Sequence, residues 1–236
     1  MNFLIDFFNL ILYRPLLNSL ILLYQYLPGH DFGLSVILLT VLIRLILYPL
    51  MSQSLKSQKA LSGLQSKIQE IQKKYVNDKE KQAKEMVELY QKEKINPFSG
   101  LILVFLQLPI LIALYQVFWK GLQPEEMVNL YSFVAQPERI NPTFLGLVNL
   151  AEASLVLAIL AGIIQFFQTK LMLPQQEKTG EKTNPQFSDI LQKQMIYFLP
   201  VFTILILLRM PAAIGLYWIA TSLFSILQQY FIFKKI

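Results

Sequence analysis

Arg44 is the one charged residue inside an apolar run that extends from Phe32 to Leu55. It stands roughly twelve residues from either end, about 18 Å along a helix, too far for its head to snorkel to water. An arginine at the centre of a membrane span costs roughly 2.5–3.5 kcal/mol on insertion scales, so it needs a solvent. No Asp or Glu lies within the other long apolar windows, which leaves water or a bound anion, or else a helix displaced so that Arg44 approaches the cytoplasmic interface. Polar residues on those windows could share it. Thr40 precedes Arg44 by one turn, on the same helix face. Gln107 lies inside Ile95–Trp119, and Gln165 and Gln168 are i,i+3 neighbours inside Ala153–Thr169. Trp218, Ser222, Ser225 and Gln229 recur at four, three and four within Met210–Phe233. Together they predict a hydrated groove with one positive charge, biased toward acidic or polar groups and against cations.

Other chemistry is poorly provided for. The chain has no Cys and a single His, His30, which excludes a disulfide scaffold, a thiol nucleophile and a lipidated cysteine. No nucleophile–base pair, glycine-rich phosphate loop or metal-ligand cluster is present. Neither an enzyme nor a bound cofactor or metal is expected.

The elements that hold this groove follow from composition. Of 236 residues, 54% are hydrophobic and 15% charged, against roughly 25% charged in soluble domains, and mean hydropathy is +0.46. The chain reads as an all-α polytopic membrane protein. Five windows approach the 20 residues or so that a bilayer needs: Phe32–Leu55, Ile95–Trp119, Ala153–Thr169, Gln194–Leu208 and Met210–Phe233. Arg209 and Pro211 separate the last two, giving a tight helical hairpin. Spans three and four are short.

Before these windows, Leu16, Leu20, Leu23 and Leu27 recur by four, three and four, the pattern of an amphipathic interfacial helix, with a sixth span over residues 1–27 as the alternative. Between spans one and two, Lys56–Lys94 holds ten Lys and six acidic residues. Leu61, Leu64, Ile68, Ile71 and Tyr75 mark one helix there, Asn77-Asp78 a turn, and Ala83, Met86 and Tyr90 a second helix. The chain has no internal sequence repeat.

The expected order is an interfacial helix over 1–30, span one over 31–56, a cytoplasmic helical hairpin over 57–95 and span two over 96–120. An outer loop over 121–150, span three over 151–172 and a cytoplasmic loop over 173–192 follow. Span four over 193–209, span five over 210–233 and a tail over 234–236 complete it. The hairpin, the 170–193 loop and the tail carry sixteen basic residues, whereas Arg14, Lys120, Arg139 and Arg209 are four on the other side. The rich side is cytoplasmic by this asymmetry, with the N-terminus outside and the C-terminus inside.

Three blocks carry a family resemblance. DFGLSVILLTVLIRLILYPLMSQSLKSQKAL (31–61), QLPILIALYQVF (107–118) and FLPVFTILILLRMPAAIGLYWIATSLFSILQQY (198–230) resemble, in order and spacing, the YidC/Oxa/Alb membrane protein insertases. The resemblance implies five transmembrane helices around a hydrophilic groove that is open to cytoplasm and lipid and closed outside. In it Arg44 corresponds to the groove arginine, Thr40 and Trp218 to substrate-contacting positions and Gln107 to a groove position of span two, with Gln165, Gln168 and Ser222 as further groove candidates. It implies an insertase of nascent membrane proteins in a bacterial plasma membrane. The hairpin, with Lys59, Lys67, Lys73 and Lys74 as contact residues, would receive substrate and meet targeting or translocation components, of which SecYEG, the signal-recognition receptor and the ribosome are candidates; the lipid bilayer is the other partner. The short tail is not expected to hold the ribosome, and the missing outer domain is that of the family's short form. A competing reading is a transporter or channel subunit for an anionic solute; another is a structural assembly factor for membrane complexes. The five windows lack the paired, broken repeats usual in transporters.

Overall fold

In the computed structural model, which describes residues 2–96, 98–121, 123–172 and 194–234, the regular structure is almost wholly helical. The N-terminal apolar stretch forms one rod: α1 (Asn2–Phe8), a π-helical turn (Asn9–Tyr13) and α2 (Arg14–Tyr26). The π turn falls just before Pro15, whose missing N–H breaks the i−4 ladder and lets the register widen. The buried face differs from the expected leucine stripe. Leu17, Asn18, Leu20, Ile21 and Tyr24 face inward, while Leu16 and Leu23 are only partly buried. Neighbouring helices choose this face, because the rod packs along its length on two other helices and so rotates away from the purely apolar seam.

Asp31 caps the next helix, α3 (Phe32–Ile46), by accepting from Leu34 N–H at 2.8 Å. The sequence predicts one straight span from 31 to 56. The chain instead bends by 67° at Leu47 and continues as α4 (Tyr48–Gly63). Pro49 is the cause, since it cannot continue a preceding helix but suits the first turn of a new one. The expected boundary between span and hairpin thus falls inside α4. The hairpin arms are α5 (Gln65–Lys74) and α6 (Lys79–Lys92). Asp78 caps α6 through Lys81 N–H at 3.0 Å, and Lys67 pairs with Glu93 at 2.6 Å. That ammonium holds the Glu93 carboxyl below its ordinary range. Neither arm buries a residue, so the hairpin projects from the bundle.

Helix α7 (Ser99–Trp119) returns through the bundle, and α8 (Leu155–Met172) follows a long loop. A π turn (Gln194–Phe198) leads into α9 (Leu199–Leu207), and α10 (Ala212–Lys234) closes the bundle. The predicted tight turn at Arg209–Pro211 is present. The expected loop over 173–192 lies outside the described residues. Phe3–Tyr26, Leu155–Met172 and Ala212–Lys234 are each long and apolar enough to cross a membrane, and the bent α3–α4 pair passes only jointly. Ile159, Ile163 and Phe167 on α8 and Leu223, Leu227 and Phe231 on α10 lie exposed, an outer surface suited to lipid rather than water.

The loop between α7 and α8 is more ordered than its composition suggests. It holds a 3-10 turn (Pro124–Asn129) and a small antiparallel hairpin, β1 (Thr143–Phe144) with β2 (Val148–Asn149), in register Phe144 to Val148. Leu145 and Gly146 make its turn at φ 51° and 69°, a conformation that Gly adopts without strain. This loop straps the bundle end opposite the helical hairpin. Asn18 is its main clasp: the side chain donates to Arg14 O at 2.7 Å and Asn129 O at 3.1 Å, and accepts from Tyr131 N–H at 2.7 Å. Tyr24 OH accepts from Asn141 N–H at 2.9 Å, and Tyr13 OH donates to Glu126 at 2.7 Å. At the far edge the strap carbonyls of Leu150 and Glu152 take the first N–H groups of α10, from Ala213 at 3.0 Å and Ala212 at 2.8 Å.

Two outcomes follow for stability. Gly33 meets Phe144 so closely that an added Cβ would lie 2.3 Å from its ring. Gly33→Val should therefore lower stability by about 1–3 kcal/mol, whereas Gly63→Ala, with nothing within 4 Å, should be neutral or stabilising. Thermal unfolding in detergent measures both. Asn18→Leu should leave Tyr131 N–H buried and unpaired, at about 1–3 kcal/mol. Amide exchange at Tyr131 should quicken while that of α8 stays unchanged.

Candidate functional site

The bend at Leu47 creates the site. It moves Arg44 from the middle of a straight span, as the sequence predicts, to the last turn of α3. A cation there faces the negative end of the helix dipole. The same bend swings Met51 of α4 back over it. Arg44 is 96% buried by side-chain packing, being 4% exposed. Its Nη1 donates to Met51 Sδ at 2.9 Å and its Nη2 to Gln107 Oε1 at 3.1 Å. Gln107 Nε2 in turn donates to Tyr217 OH. Among the described residues no carboxylate pairs with this guanidinium. A buried charge held by neutral partners remains under-solvated, and that state favours water or an anion beside it.

A cavity of about 320 Å³ opens next to it, walled by α3, α4, α7, α8 and α10. Gln107, Gln165, Gln168, Trp218 and Ser222, all read from the sequence as groove positions, line this cavity together with Arg44. So do Ser225 and Gln229 of the same stripe. Trp218 Nε1 donates to Gln165 Oε1 at 3.2 Å, joining α10 to α8. Helix α9 contributes no lining residue; its single polar side chain, Thr203, is buried outside the cavity.

Thr40 is placed otherwise. It is buried, donates to Val36 O at 2.7 Å in its own helix, and does not line the cavity. Its one-turn offset from Arg44 puts it above the bend, on the strap side. Tyr217, Thr221 and Gln228 line the cavity and escaped the sequence reading. Tyr217 was legible only as the aromatic beside Trp218. Thr221 stands four residues before Ser225, a spacing that would have extended the stripe. Gln228 Nε2 donates to Ser52 Oγ at 3.0 Å and Tyr48 O at 3.3 Å, tying α10 to the start of α4.

The four lysines assigned to the hairpin divide. Lys59 lies on α4, donates to Phe233 O at 3.2 Å and sits 5.1 Å over the Phe233 ring. It therefore anchors the hairpin base to α10. Lys67 is engaged by Glu93 at 2.6 Å. Lys73 is exposed, and Lys74 is exposed beside the Tyr75 ring, at 5.3 Å. Among the described residues no group of His, Cys, Asp or Glu is arranged to hold a metal ion.

The chain that carries this site is similar, over most of its length, to known proteins. The membrane protein insertase YidC of Fusobacterium nucleatum is 37% identical over 87% of this chain and 87% of its own length. Membrane protein insertase MisCA of Bacillus subtilis is 33% identical over 92% of this chain and 76% of its length. The YidC of Geobacter metallireducens is 32% identical, and the chain spans 37% of its length. A crystal structure of an active YidC insertase superposes with a TM-score of 0.61 over 93% of this chain and 46% of that one, at 22% identity, a likeness of fold. The family described as 60Kd inner membrane protein matches residues 22–236. With nearly the whole chain covered on both counts, it belongs to that family, the YidC/Oxa/Alb membrane protein insertases.

Proposed function

We propose that this insertase works through the Arg44 cavity. A nascent chain's short polar segment enters the cavity from the hairpin side and crosses the remaining hydrocarbon, while its apolar helix passes into lipid along α3 and α10. The observation that carries this reading is Arg44 itself, 4% exposed, hydrogen-bonded to Met51 and Gln107 and without a carboxylate partner among the described residues. A substrate carboxylate would give it a charged partner of the kind it lacks. Each translocated charge otherwise costs a few kcal/mol in hydrocarbon. The apolar stretch Gln194–Leu207, at about 21 Å by helical rise, is shorter than a bilayer, and local thinning around it would shorten the path further.

Five crossings, with the N-terminus outside and the C-terminus in the cytoplasm, agree with sixteen basic residues on one side against four. In that orientation the strap closes the outer end and the lysine-rich hairpin faces the cytoplasm. The exposed Lys73 and Lys74 then suit contact with acidic surfaces of the signal-recognition receptor, SecYEG or ribosomal components. Hydrophobic partitioning and the membrane potential would drive the reaction, since no nucleotide-binding motif is present.

Arg44→Ala should slow insertion of single-span substrates with acidic translocated segments roughly tenfold, the scale of one charge-assisted hydrogen bond. Substrates with neutral segments should be affected far less. Protease protection in proteoliposomes measures both, and equal rates for wild type and variant on acidic substrates would refute the electrostatic role. Deleting turns within Lys67–Lys84 should reduce delivery of ribosome-bound substrate while thermal unfolding of the bundle stays unchanged. Normal delivery by that variant would show the hairpin to be dispensable.

A further inference from the structure

Thr221, Ser225 and Gln229 stand four residues apart on one face of α10, and all three line the cavity. Their polar groups are short of partners. Thr221 Oγ1 and both amide atoms of Gln229 are buried and make no hydrogen bond among the described residues, and Gln229 is 2% exposed. Ser225 Oγ donates to Thr221 O at 2.9 Å and keeps its acceptor capacity. None of the three carries charge, so they complement something other than the acidic side chains suited to Arg44.

The group that matches them is the peptide bond. A primary amide offers one acceptor oxygen and a donor N–H₂, the complement of a backbone C=O and N–H. The spacing agrees as well. Four helical residues rise about 6 Å, and two residues of an extended chain rise about 6.5–6.8 Å, which is the repeat at which backbone groups point to the same side. An extended segment lying along α10 therefore meets successive rungs with a mismatch under about 1 Å per step. A helical segment would not, because its own N–H and C=O groups are already paired.

We infer that Thr221, Ser225 and Gln229 form a rail that binds the backbone of an extended translocating segment, independent of its side chains. This rests on the insertase reading of the cavity and adds the conformation in which substrate occupies it. Backbone groups cannot be left bare in a bilayer, and a neutral rail serves any sequence, whereas Arg44 serves only anionic ones.

The chain has no Cys, so Thr221→Cys and Ser225→Cys each supply a unique anchor. A stalled single-span nascent chain carrying one Cys, walked residue by residue through its translocated segment, is oxidised against each anchor. The rail requires adducts at alternate substrate positions and a shift of two positions between the anchors. A shift of four positions, or a three-to-four periodicity, means a helical substrate and overturns the rail while leaving the cavity as the substrate path. Adducts at no position overturn both. Independently, Gln229→Leu should slow insertion roughly fivefold or more for acidic and neutral segments alike, in contrast to the charge-dependent effect of Arg44→Ala. An unchanged rate with Gln229→Leu, in a variant whose thermal midpoint equals that of the parent, also overturns it.

Discussion

A guanidinium cannot be neutralised by deprotonation and is costly to bury, so everything around Arg44 answers to its need for partners. The partners supplied are weak ones, a thioether and an amide oxygen. Three helices are committed to providing them. Gln107 reaches from α7, Tyr217 from α10 orients Gln107, and Met51 comes from α4. Met51 is within reach only because Pro49 forces a bend between it and Arg44. A straight span would carry a residue seven positions later about 10 Å further along the axis. A strong acidic partner would lock the charge. Neutral ones hold it in position and leave its field open to whatever enters the cavity.

The opposite end of the bundle is built on the reverse principle: among the described residues, no buried side-chain polar atom of the strap or of α2 lacks a partner. Asn18 uses its donor and its acceptor on the strap, and Asp31 caps α3 while its second oxygen takes Leu145 N–H. The strap carbonyls in turn satisfy the first turn of α10. Satisfied polar groups resist opening, and unsatisfied ones invite a ligand. The contrast between the two ends gives the molecule its polarity, with one end sealed and one end receptive.

How much of this was legible in the sequence varies by element. The helical hairpin and the groove face of α10 followed from periodicity, because charge and polarity there are unambiguous. Gln107, Gln165, Gln168, Trp218 and Ser222 followed from being polar where apolar residues would do. The bend at Leu47 was written in Pro49 but was overridden by the long apolar run, which argued for one straight span. Thr40 falls outside the lining because a shared helix face says nothing about depth: it stands one turn beyond Arg44, its hydroxyl bonded to Val36 O. Local pattern could not reveal the buried face of α2 or the strap's clasps, since Asn18 reads as an ordinary polar interruption until Asn129 and Tyr131 are folded against it. Tyr217 and Met51 likewise take their roles from partners distant in the chain.

Helix α4 has a mechanical meaning that neither of its ends reveals alone. It is one unbroken rod from Tyr48 to Gly63, with Met51 against the arginine near one end and Lys59 against the end of α10 near the other. The hairpin arms continue from it after Leu64. A rod of this kind transmits torque. Any partner that pulls on the hairpin base must bend α4, detach Lys59 from Phe233, or shift the sulfur that shields Arg44. The projecting hairpin and the interior charge are thus two arms of one lever, with its fulcrum at Leu47.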